Sequence, residues 1–391
     1  MPLVNYAFAD LITFTRSTTA TFVGSNGLIQ SAAIDAPRFD FVPVTLAPKG
    51  FLIEEQRVNL LLYSEEFDNA GWSKTNSTIT ANATTAPDGT LAGDKHVPDL
   101  AVTMGVGATE TRVFQSPSAT SGTSYTFTIY AKEGEFDQIE FGIIATPTVT
   151  ARCSLTSGTV ISGAGASITP AGNGWYRCTL TVVAGATGAL AVRWSAKDSV
   201  ALVGDGTSGI FVWGAQFEAG TFPTSYIPTV AATVTRAADV AAITGADFTP
   251  WFNASEGTIV VSGDSVRPIG SSPATRIFQF DDGTTANNIR TGGLSTLQVV
   301  DGGVALVSIS ATPSIPFDGT VFKFASAFRL NDFATVTTGA VDTDTSGTIP
   351  TVTQLSLGGS PLAGGLLNGH LRNITYYPTR LTDAQLQALA A

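Results

Sequence analysis

Charged side chains are scarce in this sequence, and the shortage limits the partners it can have. Only 13% of the 391 residues are charged, and 31 acidic against 20 basic residues give a net charge of −11. A surface that binds phosphates needs clustered lysine and arginine, whereas the basic residues here are scattered, so nucleic acid is excluded as a partner. The sequence also lacks a signal peptide pattern and any apolar run long enough to span a bilayer, so we expect no membrane insertion.

Histidine is equally rare, which removes several kinds of active site. The two histidines, His96 and His370, have no metal-ligand spacing to another histidine or to a cysteine, and no serine stands in a nucleophile elbow. A hydrolase built on serine, histidine and an acid would have to use one of these two. We therefore predict a structural role for each of them and no metal site.

Turn-forming residues, in contrast, are abundant. There are 40 glycines and 19 prolines, and Asp-Gly-Thr triplets begin at Asp88, Asp205, Asp282 and Asp318. Between such turns, apolar and polar residues alternate with a period of two, most clearly in residues 209–220, where both faces start apolar. Regular short strands separated by turns predict an all-β protein made of two antiparallel β-sandwiches in tandem.

Turn signals and composition divide the chain into four segments. We predict an extended amino-terminal arm at residues 1–58 and a first sandwich at residues 59–230. A linker at residues 231–247 then leads to a second sandwich at residues 248–391. The short apolar stretches of the arm need a partner to bury them, so we expect the arm to attach to another surface, with a mobile tail as the alternative. One short helix should end the second sandwich, because Thr382 can cap it with Gln385, and Leu381 can pack on Leu386.

Several blocks of sequence carry a resemblance to a known family. They stand at residues 15–23 with 36–40, 50–67, 173–178, 209–228 and 234–240. In this order they resemble tailed-bacteriophage virion proteins, whose members are tail-fibre, tail-spike or head-fibre subunits. The resemblance covers the first two thirds of the chain and implies that residues 59–230 form a carbohydrate-binding-like jelly roll. The ending of the chain is similar to that of concanavalin-like and laminin-G-like sandwiches.

The resemblance also implies a location and partners. We expect a virion protein assembled in the host cytoplasm, and a homo-oligomer, since similar fibres are usually homotrimers. Residues 1–58 would contact other virion proteins, and host surface polysaccharide would be the ligand. Because that cytoplasm is reducing, we expect free thiols at Cys153 and Cys178, with a disulfide as the alternative.

Sugar binding depends on exposed aromatic faces with polar side chains nearby that reach hydroxyl groups. The predicted weak ligand-binding residues are Trp72, Arg193, Trp194 and Trp251. Each lies close to a turn or at the end of an alternating run. Trp175 and Trp213, in contrast, are expected in the core.

We predict no catalytic residue and no cofactor. Glycoside cleavage needs an acid and a base or nucleophile on facing strands, and the nearest match to the glucanase pattern Glu-x-Asp-x-Glu, at residues 133–137, has the wrong order. Residues 342–347 resemble the start of a calcium loop, but Thr353 replaces its twelfth, acidic ligand. Carbohydrate-binding jelly rolls often hold a structural calcium ion. Asp68 fits its first ligand, but Trp213 and Gly214 occupy the region of the second, which leaves calcium as an open alternative.

The sequence therefore favours a virion fibre or spike subunit that binds host glycans without cleaving them. The first alternative is a purely structural protein that decorates the capsid or tail. The second is a polysaccharide depolymerase.

Overall fold

The computed structural model describes residues 11–99, 111–144, 148–198, 204–266, 275–293, 295–316, 318–361 and 364–391. Within these ranges the chain consists almost entirely of strands and turns, and its strands form two β-sandwiches, each with its own apolar core. The all-β prediction with two antiparallel sandwiches is confirmed. No helix in the described ranges has both the length and the apolar character needed to cross a bilayer.

The first sandwich contains two six-stranded antiparallel sheets. Its strands, numbered in chain order, are β7 (Ser73–Thr75), β8 (Ser77–Thr84), β9 (Gly93–Pro98), β10 (Arg112–Gln115), β11 (Ser118–Ala119), β12 (Ser124–Lys132), β13 (Gln138–Ile144), β14 (Val149–Ser154), β15 (Thr159–Ser162), β16 (Ala166–Gly172), β17 (Trp175–Val183), β18 (Gly188–Ala189), β19 (Ala191–Lys197) and β20 (Ile210–Ala219). Strands β11 and β18 form a separate two-stranded ribbon. Sheet I has the order β15-β14-β13-β19-β10-β7, and sheet II has the order β16-β17-β12-β20-β9-β8. Strand β12 shows why they pack: its alternate residues Phe127 and Ile129 are fully buried between the sheets.

The second sandwich contains two seven-stranded sheets. Its strands after the first sandwich are β21 (Val234–Arg236), β22 (Val240–Thr244), β23 (Glu256–Ser265), β24 (Phe278–Asp281), β25 (Asn288–Gly292), β26 (Thr296–Asp301), β27 (Val304–Ser310), β28 (Phe322–Arg329), β29 (Asp332–Val336), β30 (Asp342–Asp344), β31 (Gln354–Leu357) and β32 (Gly369–Tyr377), with a 3₁₀ turn at Gly245–Asp247. Together with the amino-terminal strands β1 (Thr13–Thr15), β4 (Phe39–Phe41) and β5 (Pro48–Ile53), they form sheet III, of order β1-β22-β31-β24-β25-β26-β27, and sheet IV, of order β30-β29-β28-β23-β32-β5-β4. Strand β21 lies outside both sheets.

The amino-terminal segment builds part of this second sandwich. Its strands are β1 (Thr13–Thr15), β2 (Ala20–Val23), β3 (Ile29–Ala32), β4 (Phe39–Phe41), β5 (Pro48–Ile53) and β6 (Arg57–Asn59). Strand β1 pairs with β22, and β5 pairs with β32, so sheets III and IV each take in amino-terminal strands. Strand β6 pairs with β21, which lies in the predicted linker, and the first sandwich is therefore inserted between these two strands. Attachment of residues 1–58 to other virion proteins stays a prediction.

The predicted helix is present as α1 (Asp383–Ala390), and it begins as expected. Thr382 accepts a hydrogen bond from the Gln385 backbone, while the Gln385 side chain accepts one from the Thr382 backbone. Leu386 is buried, and Leu381 packs in the same small cluster. The outer face of β28 and β29 carries alanines and a valine there, so the helix lies directly on sheet IV.

Candidate functional site

Two of the predicted sugar-binding residues lie inside the first sandwich. Trp72 is 2% exposed and Trp194 is 0% exposed. Their ring centroids are 4.9 Å apart, and Phe67 lies 5.3 Å from Trp72 and 4.8 Å from Trp194. The Trp72 indole also donates a hydrogen bond to the Tyr63 carbonyl at 2.9 Å. A buried indole has no open face on which a pyranose can stack, so we correct both assignments to core packing.

The other two predicted residues are half-buried and lie in different sandwiches. Arg193 is in β19, opposite Phe114 and Gly142, whereas Trp251 follows the 3₁₀ turn of the second sandwich. The Trp251 indole donates to the Asp247 carbonyl and packs edge-on against Tyr376, with ring centroids 5.0 Å apart. The structure thus does not bring the predicted ligand residues together into one site. Ligand contact at Arg193 and Trp251 stays a prediction.

Trp175 and Trp213 are buried, as the sequence predicts, but not in the main core. Each is 1% exposed, and they pack with Tyr130 and Tyr226 in a separate cluster. This cluster lies on the outer face of sheet II, because the alternate positions of β12 and β20 face the main core. The aromatic residues that stand out in the sequence therefore serve packing.

An open groove lies on the outer face of sheet IV, beside helix α1. Its volume is about 160 Å³, and it is bounded by strands β23, β28 and β32 and by the helix. The residues that line it are Val260, Ser262, Lys323, Asn373, Thr375, Tyr377 and Leu389. These strand positions face outward because the residues between them, such as Ile259 and Val261, face the core. We take this groove as the candidate functional site.

Strand register orders the polar groups on the floor of the groove. Ser262 pairs with Lys323 on one side and with Asn373 on the other, so these three side chains form one row. Thr375 and Tyr377 follow in the next rows along β32. Because adjacent strands lie about 4.8 Å apart, the first row spans about 10 Å. The Lys323 ammonium donates to the Ala391 carbonyl at 2.5 Å, which ties this row to the end of the helix.

The chemistry of the groove suits recognition of hydroxyl groups. Its described lining offers hydroxyls, an amide, an ammonium and one half-buried tyrosine ring, and it includes neither a carboxylate nor an imidazole. These groups donate and accept hydrogen bonds at neutral pH without a change of charge.

A second polar region, which we call the junction cluster, is closed to solvent. It consists of Arg16, Arg38, Glu54, Arg236 and Asp239, each no more than 5% exposed. Arg38 Nη1 lies 2.7 Å from Glu54 Oε2, and Arg38 Nη2 lies 2.6 Å from Asp239 Oδ2. Arg236 Nη1 lies 2.6 Å from the same Glu54 oxygen. Arg16 Nη1 lies 3.2 Å from Asp239 Oδ1.

The junction cluster joins the first sandwich to the second. Ser225, which follows β20, donates its backbone N–H to Glu54 Oε1 at 2.7 Å and its hydroxyl to Glu54 Oε2 at 2.7 Å. Burial raises the pKa of Glu54, but the guanidinium groups of Arg236 and Arg38 act against it, so this pKa lies well below its usual range. Sequence reasoning missed the cluster. The sequence offered one signal: arginines and acidic residues recur in the blocks at residues 15–23, 36–40, 50–67 and 234–240 of a chain that has few charges.

The two histidines have opposite surroundings. His370 Nδ1 lies 2.7 Å from Asp264 Oδ1, and its Nε2 lies 3.1 Å from Asp40 Oδ2, so the ring links β32 to β23 and β4. Burial raises the pKa values of Asp40 and Asp264, but the hydrogen bonds to His370 and its charge bring both below their usual range. His96 is 0% exposed, has no hydrogen-bond partner at either ring nitrogen among the described residues, and has its pKa lowered to about 3 by burial and by Lys197.

The structure also bears on the two cysteines and on metal binding. Cys153 and Cys178 are both buried free thiols, in agreement with the expectation. They lie in β14 of sheet I and β17 of sheet II and share one core. Among the residues described by the structure, no three histidine, cysteine, aspartate or glutamate side chains gather in a way that could hold a metal ion.

Comparisons with known proteins add little to this geometry. No protein-family model and no curated sequence matches the chain. One similar solved structure is that of the mouse laminin alpha1 chain, domains LG4-5, at 10% sequence identity and a TM-score of 0.24, covering 68% of this chain and 85% of that chain. The similarity is distant, and neither a ligand nor a partner follows from it. The sandwich architecture stands on the strand pairing described above.

Proposed function

We propose that this chain is a non-enzymatic subunit of a bacteriophage fibre or spike that binds host surface glycans in the groove on sheet IV. The observation that carries the proposal is the groove itself. It is an open, polar sheet face with a tyrosine ring at one end and no carboxylate or imidazole in its described lining. The sequence resemblance supports the virion location.

We expect the groove to bind one sugar unit at a time. At about 160 Å³ it is smaller than the roughly 300 Å³ or more of typical ligand pockets. The apolar face of a pyranose would lie on Tyr377, while Asn373 and Ser262 would reach its hydroxyl groups. A neutral hydrogen bond contributes a net of about 1 kcal/mol, and about 4 kcal/mol corresponds to a dissociation constant near 1 mM. We therefore expect weak binding at each site.

Weak single sites fit an oligomer, in which avidity multiplies modest affinities. We expect the chain to act as a homo-oligomer. Since similar fibres are usually homotrimers, we expect a trimer. The amino-terminal segment supports an attachment role, because several of its large apolar side chains are exposed. They are Ile34, Phe39, Val44 and Leu46, between 41% and 60% exposed. Contiguous exposed apolar patches mark contact surfaces, and we propose that these residues belong to one.

Adsorption of the purified protein to host surface polysaccharide tests the proposal. We expect weak, saturable binding that Tyr377→Ala and Asn373→Ala each reduce at least tenfold, while Ser255→Ala, an exposed position outside the groove, leaves it unchanged. Reducing ends are assayed in the same samples and should not increase. The absence of binding to any host polysaccharide would contradict the proposal and favour a capsid or tail decoration protein. Release of reducing ends would contradict it in favour of a depolymerase.

A further inference from the structure

The ammonium group of Lys74 lies in a cage of main-chain oxygens. Lys74 is in β7, and its Nζ lies 2.8 Å from the Asp68 carbonyl, 2.8 Å from the Asn69 carbonyl and 3.1 Å from the Trp72 carbonyl. An ammonium carries three N–H donors and no acceptor. The three carbonyl oxygens therefore use all three donors of this lysine.

The turn that supplies these oxygens is shaped by contacts that do not involve Lys74. The Phe67 N–H donates to Asp94 Oδ2 at 2.9 Å, and the Trp72 N–H donates to the Asn69 carbonyl at 3.1 Å. The Gly71 N–H donates to Asn69 Oδ1 at 2.8 Å. The carbonyls thus converge on one point because the chain wraps around it, and a cation is the group that such a ring of oxygens attracts.

The charge around the cage also favours a cation. Burial lowers the pKa of Lys74, and the carboxylates of Asp68 and Asp94, which attract the ammonium, oppose this effect. Asp94 is 1% exposed, and burial raises its pKa to about 6, with Asp68 and Glu66 adding to the rise. A positive charge close to a buried carboxylate with acidic neighbours is favourable, and the Lys74 ammonium interacts electrostatically with Asp94.

We propose that the turn at residues 67–72 is a cation-binding site and that the Lys74 ammonium is its resident cation. In this proposal the first sandwich orders the turn with a lysine side chain in place of a metal ion. Removal of the ammonium would leave carbonyl and carboxylate oxygens, the ligands that Ca²⁺ takes in proteins. The inference rests on the turn alone and is independent of glycan binding.

Thermal unfolding of the full chain tests this inference. We compare the wild type, Lys74→Ala and Lys95→Ala, each in EDTA, in Ca²⁺ and in methylammonium. Lys95 is the matched control because it is a lysine of the same sandwich that pairs with a surface acid, Glu135, at 2.7 Å. We expect the wild-type midpoint to be the same in all three solutions. Lys74→Ala should melt several degrees lower in EDTA and regain part of this loss in Ca²⁺ or methylammonium, while Lys95→Ala should show no such recovery.

Three results would overturn the inference. The first is a wild type that Ca²⁺ stabilises or EDTA destabilises, because a metal ion rather than Lys74 would then order the turn. The second is a Lys74→Ala variant that melts like the wild type, and the third is a loss that neither cation restores. If Lys74→Ala does not fold in EDTA, we measure its refolding from denaturant instead of its thermal unfolding. Refolding with methylammonium or Ca²⁺ present would then support the site, and failure with both would contradict it.

Discussion

The junction cluster and the groove both consist mainly of polar side chains, yet they differ in what surrounds them. In the junction cluster, charged side chains are buried and paired, and Ser225 of the neighbouring segment completes it. In the groove, the polar side chains are mostly uncharged and open to solvent. Buried paired charges already have their hydrogen-bond partners and leave no room for a ligand, whereas solvent-exposed polar groups can form hydrogen bonds with one. We infer that the first region holds the fold together and that the second is available for binding.

The largest effect should follow from removing one charge of the junction cluster. Glu54→Gln leaves the guanidinium groups of Arg38 and Arg236 without the carboxylate they share. Because an uncompensated buried charge is strongly unfavourable, we expect the free energy of unfolding to fall by about 3–5 kcal/mol. Urea denaturation followed by tryptophan fluorescence measures it.

An exposed ion pair provides the contrast for that experiment. Arg329 Nη2 lies 2.5 Å from Asp332 Oδ2, and the arginine side chain is 54% exposed. Since solvent screens such a pair, Arg329→Met should change the free energy of unfolding by less than about 1 kcal/mol. Equal losses in the two variants would show that burial does not distinguish the junction cluster from the surface.

The next largest effect should be a dependence of stability on pH that comes from the buried His96. His96 has a pKa of about 3 in the folded chain, against about 6.5 when unfolded. The unfolded chain therefore binds a proton first as the pH falls, and stability declines across this window by about 1.4 kcal/mol per pH unit. His96→Leu removes this contribution and also two buried ring nitrogens that have no partner in the part of the chain that the structure describes. We expect its stability to match or exceed that of the wild type near neutral pH.

Urea denaturation of both proteins at several pH values checks this prediction. The carboxylates of Glu54, Asp40 and Asp264, whose pKa values are lowered by folding, also lose stabilising contributions as the pH falls. The informative quantity is therefore the difference between wild type and variant, which should grow in favour of the variant from about pH 6.5 downward. Parallel curves would contradict the account of His96.

The smallest effect concerns the helix beside the groove. Thr382→Ala removes the side-chain cap of α1, so we expect a loss of about 1 kcal/mol in the free energy of unfolding. Thr382→Ser keeps the hydroxyl group and should retain most of the stability. If the two variants are equally destabilised, the cap is not what fixes the start of the helix.

Local features of the fold could be read from the sequence, and long-range ones could not. Alternation predicted strands such as β20, and the Thr382 cap predicted α1, because both depend on neighbouring residues alone. Alternation does not say which sheet a strand joins. The pairing of β1 with β22 and of β5 with β32 joins residues more than 200 positions apart, so it lay beyond any local pattern.

The candidate site was harder to predict for the same reason. Trp72 and Trp194 stand near turns in the sequence, but Phe67 brings them into one buried cluster that spans distant strands. The groove combines residues of three strands and a helix, none of which forms a motif by itself. Only the register of β23, β28 and β32 places Ser262, Lys323 and Asn373 in one row.

The most direct test of the account compares two single variants on immobilised host polysaccharide. Tyr377→Ala changes the groove, and Arg193→Ala changes the position predicted in the first sandwich. With thermal midpoints checked for both, we predict that retention is lost for Tyr377→Ala and kept for Arg193→Ala. Loss of retention in Arg193→Ala, with Tyr377→Ala retained like the wild type, would contradict the account and move the ligand site to the first sandwich.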